Sequence, residues 1–176
     1  SLAYFVSPEA KQAPELKKLA SDDKKKEVRV VILTYMGLET RAEFIQADRE
    51  LSERLAKNLR ELSEANEDKV AVVPPRKVEE FKNAHPDWVK MDLAEVGRFF
   101  RADYVIYLEV NTLDLYAKSS FNTMYQGQTS ITVTLADVNK PDDTPEQKQF
   151  SCVYPNARGP IPADDMHPME FREQFL

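Results

Sequence analysis

The chain has 176 residues, 42% hydrophobic and 31% charged, with 24 basic against 30 acidic side chains for a net charge of −6. That is enough for one domain with a core of its own, needing neither disulfides nor metal. No run approaches the roughly 18 apolar residues of a membrane-spanning helix, and the longest basic run, Lys24-Lys25-Lys26, follows directly on Asp22-Asp23, which argues against a nucleic-acid surface.

Residues 1–27 are rich in Lys, Glu, Asp and Ala, interrupted by Pro8 and Pro14, and read as a tether or loosely packed segment. The folded body is expected over 28–154. Val28 to Tyr35 is nearly continuous in β-branched and apolar residues, the pattern of a strand covered on both faces. After Gly37, Thr40 and Glu43 have the spacing of a capping box, and Phe44, Leu51, Leu55, Leu59 and Leu62 fall on one face of a helix ending near Asn66, with Asp48 off pattern. Val70–Val73 is a second strand, stopped by Pro74-Pro75, so the chain opens as a β-α-β unit.

A short helix over Lys77–Asn83 puts Val78 and Phe81 inward. A further one, capped by Asp92, takes its apolar side from Leu93, Val96, Phe99 and Phe100. Arg101 to Leu113 then runs into the most apolar strand of the chain, and from Asp103 the period changes to strand alternation. Tyr104 onward and Met124–Val138 pair as a hairpin with its tip inside Ala117–Thr123, and Gly127 marks a bulge or a close backbone approach. Gln149–Tyr154 returns as a further strand. Residues 155–176 form a proline-rich tail and the start of a helix in which Phe171, Phe175 and Leu176 share a side. The expected fold is α/β (α+β): a mixed sheet of about five strands with helices mainly on one face.

Chemistry is sparse. The single cysteine, Cys152, excludes an internal disulfide and a cysteine-based zinc cluster, and in its strand it reads as a small buried hydrophobe. His85 and His167 both precede proline, outside any metal or triad motif. The four glycines form no phosphate cradle. No catalytic, metal or cofactor-binding residues are therefore assigned. If a hydrolytic site exists, Glu109 or Asp103 acting with His85 is the arrangement to look for. The hairpin carries the candidate partner surface: Tyr116, Phe121, Met124 and Tyr125 set large apolar groups around a tip that also holds Lys118 and Asn122. The same residues could instead pack on the carboxyl-terminal segment.

The order of Val28–Leu33, the helix from Thr40, Val70–Val73, the helix into Ala102-Asp103-Tyr104-Val105-Ile106, and the strand ending Val133-Thr134-Leu135-Ala136-Asp137-Val138 resembles the small α/β domain of bacterial envelope lipoproteins. That group includes the curli-secretion lipoprotein, lipoprotein activators of penicillin-binding proteins and the amino-terminal domain of TolB. A tether followed by this start, with Met124-Tyr125-Gln126-Gly127 opening the second long strand, is similar to secreted proteins of planctomycetes. The resemblance implies a secreted or periplasmic binding or assembly module for a protein or cell-wall partner, with no enzymatic activity, and allows a lipid anchor upstream of residue 1. It transfers no catalytic residue. The alternative from another class is a hydrolase acting on an envelope substrate.

Overall fold

The computed structural model describes residues 27–156 and 159–176. The expected tether, Glu27 apart, lies outside them. The elements are strand β1 (Val28–Met36), helices α1 (Leu38–Glu43) and α2 (Ala47–Ala65), strand β2 (Val70–Val72), helices α3 (Pro75–Ala84) and α4 (Leu93–Phe99), strands β3 (Tyr104–Tyr116), β4 (Met124–Asp137), β5 (Glu146–Tyr154) and β6 (Ile161–Pro162), and helix α5 (Pro168–Phe175). They build one mixed open sheet in the order β2-β1-β3-β4-β5, with β6 paired to β4.

β1 is parallel to both of its neighbours. It pairs Val28 with Val70 on one side, and runs from Val30 opposite Tyr104 to Met36 opposite Val110 on the other. Its continuous apolar run has the cause expected of a parallel strand, since both faces are covered. Val28, Val30, Ile32 and Met36 enter one core with Leu51, Ala56 and Leu59 of α2 and Phe171 and Phe175 of α5. Val31 and Leu33 enter the other with Val78 and Phe81 of α3, Val96 of α4, and Trp88. The mixed sheet, the β-α-β start, the hairpin and the return strand follow the sequence reading, whereas the helices divide between the two faces instead of lying mainly on one. Topology accounts for this: β2 and β3 flank β1 on opposite sides, and two crossovers of the same hand leaving in opposite directions must pass over opposite faces.

A second difference lies in the first helix. It is not one span from Thr40, because Phe44 turns into the core, Gln46 takes a left-handed φ of 64°, and the chain restarts at a fully buried Ala47. α1 starts at Leu38 with Gly37 at its N-cap, so Thr40 is already inside the helix and caps nothing. The expected cap at Asp92 does form, its Oδ1 accepting the amides of Ala94 at 2.8 Å and Glu95 at 3.3 Å. One polar link ties α2 to β1: the buried hydroxyls of Thr34 and Ser52 lie 2.7 Å apart.

Helix and sheet approach closely at two glycines. Gly127 is both a close approach and part of a bulge: a Cβ there would stand 2.5 Å from the Phe175 ring, and the β3–β4 register shifts between the Asp114/Gln128 and Tyr116/Tyr125 pairs, which sets Gln126 and Gly127 against Leu115 alone. A Cβ on Gly97 of α4 would meet Val138 at 2.3 Å and Val105 at 2.9 Å. Gly97→Ala is therefore expected to lower unfolding free energy by about 1–3 kcal/mol through overpacking, read as a fall in the urea midpoint at unchanged m-value.

Candidate functional site

The hairpin outruns its support. β1 ends opposite Val110, while β3 continues to Tyr116, an overhang of roughly 20 Å at about 3.3 Å per residue. On one face this overhang is covered by a column of aromatic rings. Tyr116 stacks on Tyr125 with centroids 5.2 Å apart, Tyr125 on Phe171 at 4.8 Å with planes 12° apart, and Phe171 is followed by Phe175 at 6.4 Å. Tyr154 of β5 leans on Phe171 at 5.9 Å. Strand alternation sends Tyr125, Gly127 and Thr129 to this face, where α5 lies.

The predicted partner surface is accordingly split. Tyr125 is 1% exposed and belongs to the core, so it does not stand on the surface; the stack with Phe171 gives the ring more buried area than solvent contact would. Burial, and next the Tyr116 phenol, push its hydroxyl pKa upward. Tyr116 is half-buried as the outer member of the stack. Met124 is half-buried and pairs with Pro162 of β6. Lys118 and Asn122 are exposed, and Phe121 is 95% exposed.

The tip's backbone is as distinctive as its side chains. Ser119, Phe121 and Asn122 all lie in the left-handed region, with φ of 64°, 50° and 63°. Each costs about 1 kcal/mol or more for a side-chain-bearing residue, and a bulky ring is the least expected there. Hydrogen bonds hold the turn in place: the Ala117 amide donates to Met124 O at 2.9 Å, and the Thr123 amide and hydroxyl both donate to Ser120 O, at 3.1 and 2.6 Å. β6 braces the base, the Ala163 amide donating to Thr123 O at 2.8 Å. The result is a fixed loop presenting one phenyl ring to solvent.

No hydrogen bond or ion pair among the described residues joins His85 to Glu109 or Asp103, the residues of the hydrolytic alternative. Asp103, at the start of β3, accepts the Arg29 amide at 2.8 Å, a tie between neighbouring strands. Glu109 lies six residues along the same strand, roughly 20 Å away. His85 ends α3, its Nδ1 3.0 Å from the Phe81 carbonyl and its ring stacked on Phe81 at 4.5 Å. Among the described residues no group of three or more His, Cys, Asp or Glu side chains converges as a metal site would require, and no helix is long and apolar enough to cross a membrane.

A second cluster escaped the sequence reading. Tyr35, Trp88 and Tyr107 come from β1, the 3-10 turn at Trp88–Lys90 and β3, and converge on the face that carries α3 and α4. Nothing in their spacing links them, because only the β1–β3 register brings them side by side. The Tyr107 phenol is pushed up to about 12 by burial first, then by the Glu109 charge and Tyr35.

No protein-family model matches the chain, and no curated protein matches it. Solved structures do. Lipoprotein GNA1162 from Neisseria meningitidis is 17% identical over 75% of this chain and 88% of its own, with a TM-score of 0.47. The PelC dodecamer from Paraburkholderia phytofirmans is 14% identical over 76% of each chain, TM-score 0.46. The LpoB C-terminal domain from Salmonella enterica is 15% identical over 78% of this chain and 90% of its own, TM-score 0.45.

Two outcomes separate the tip from the column beneath it. Phe171→Ala removes a fully buried ring from the stack and should cost about 3–5 kcal/mol of unfolding free energy, while Phe121→Ala should stay within about 0.5 kcal/mol of the parent; paired urea titrations read both. In alkali, the raised Tyr107 value means that the folded state holds this proton more tightly than the unfolded chain, whose phenol titrates near 10. Its contribution is complete below pH 10 and is lost as pH rises through about 12. Stability measured across that window should fall less steeply in Tyr107→Phe.

Proposed function

We propose that this chain is a non-enzymatic binding or assembly module of the cell envelope, and that its hairpin tip engages a protein partner. The observation that carries the reading is Phe121: a phenyl ring 95% exposed, on a strained left-handed backbone, held at the end of a braced hairpin. Exposing a ring and bending the backbone against its preference both work against folding, and such outliers collect at contact sites, where a partner recovers what the free chain gives up. Lys118 and Asn122 supply a charge and an amide beside the ring, the mixture of apolar anchor and polar rim that protein interfaces use.

Other exposed apolar side chains point to the same end of the molecule. Leu38, at the start of α1 just beyond β1, is 85% exposed, and Ile45, in the break before α2, is 71% exposed. Arg172 of α5 reaches the Ile45 carbonyl at 3.1 Å, which sets Met169, three residues earlier on α5 and 53% exposed, towards that break. The end of the sheet that carries the overhang is thus apolar at several points. The envelope part of the reading rests on the sequence resemblance described above.

A photoreactive amino acid introduced at Phe121 in the host cell tests this directly, with the same group at exposed Lys57 of α2 as the comparison. A discrete protein adduct should form from position 121 and be absent from position 57. Adducts at both positions alike, or at neither, would count against the tip as the contact.

A further inference from the structure

Three aromatic rings and one carboxylate gather where the carboxyl end of β1 lies against the first half of β3. Trp88 stands edge-on to Tyr35 with centroids 6.4 Å apart and planes at 73°, and edge-on to Tyr107 at 6.3 Å and 78°. Glu109 is the register partner of Tyr35 and lies two residues beyond Tyr107, so strand alternation puts its side chain on the same face as both tyrosines. It is half-buried, and no described side chain makes an ion pair or hydrogen bond with it. Its neighbours on that face across the sheet, Thr132 and Thr134 of β4 and Gln147 and Gln149 of β5, are all neutral.

A cation that borders the cluster is committed elsewhere. Lys82 of α3 has a side chain only 8% exposed; its Nζ donates to Glu79 Oε1 at 2.9 Å and to the Thr34 carbonyl at 3.0 Å, and sits 5.3 Å from the centre of the Trp88 ring. β2 pairs with β1 only as far as Val30, and Lys82 fills the vacated edge, on the side of β1 away from β3 and Glu109. A positive group is favoured beside a half-buried carboxylate with which no described cation pairs. Ring faces are electron-rich, and a positive charge beside them is favoured in the same place.

We propose that Tyr35, Trp88, Tyr107 and Glu109 form a binding site for a small organic cation, a quaternary or alkylated ammonium group. Glu109 supplies the charge, and the tyrosine and tryptophan rings supply the walls that distinguish such a group from a hydrated metal ion. The site is independent of the hairpin tip.

Choline and its neutral isostere 3,3-dimethylbutan-1-ol are the probes, followed by calorimetry on the full chain and by tryptophan fluorescence, which reports Trp88 alone because the chain has one tryptophan. Choline should bind saturably and change the Trp88 emission, while the alcohol should do neither. Glu109→Gln, near-isosteric, should weaken choline at least fivefold at an unchanged unfolding midpoint, and Tyr35→Leu should weaken it with Glu109 still present. No saturable choline binding to the parent chain, equal binding of the alcohol, or undiminished binding by Glu109→Gln would each overturn the proposal.

Discussion

Everything in this molecule is referred to the parallel pairing of β1 with β3. Because β1 is buried on both faces, each of its residues is assigned to one of two cores by parity alone, and a slip of one residue would exchange them. The β3 register then decides which side chains face α2 and α5 and which face α3 and α4. Leu108 joins the first set, and Tyr107 and Glu109 the second, next to Leu33 and Tyr35 of β1. The ammonium site and the aromatic column are two products of this one alignment, on opposite faces of the sheet.

The strands were legible because alternation and uninterrupted apolar runs are local signals. Val28 to Tyr35 and Met124 to Val138 needed no tertiary information, and neither did the hairpin tip, where polar residues collect. The break between α1 and α2 was not legible, for it contains neither glycine nor proline; Phe44 leaves the helix because a core position is available to it, which only the assembled sheet defines. Helix placement failed for a similar reason. Amphipathic patterns say which side of a helix is buried, and the side of the sheet it covers depends on where the next strand inserts.

The candidate surface shows the same limit at the scale of single residues. Tyr125 and Phe121 are both aromatic and four residues apart, and the sequence treats them alike. One is enclosed because α5 supplies Phe171, more than forty positions downstream; the other protrudes because a left-handed turn aims it away from every neighbour. Asp48, off pattern in the sequence, is in fact 8% exposed, next to the helix break that no local rule announced.

The overhanging half of the hairpin has a consequence for the order in which the molecule is completed. Its proximal half acquires a parallel neighbour in β1, which precedes it in synthesis. The distal half meets its covering layer only when Phe171 and Phe175 arrive, downstream of every strand they cover. Until then Tyr116 and Tyr125 form an uncovered aromatic ledge on an otherwise finished sheet, the sort of surface that draws chaperones or like-folded chains. α5 therefore acts as the closing element of the fold: the tip gains its rigid mounting in the same step that hides the ledge.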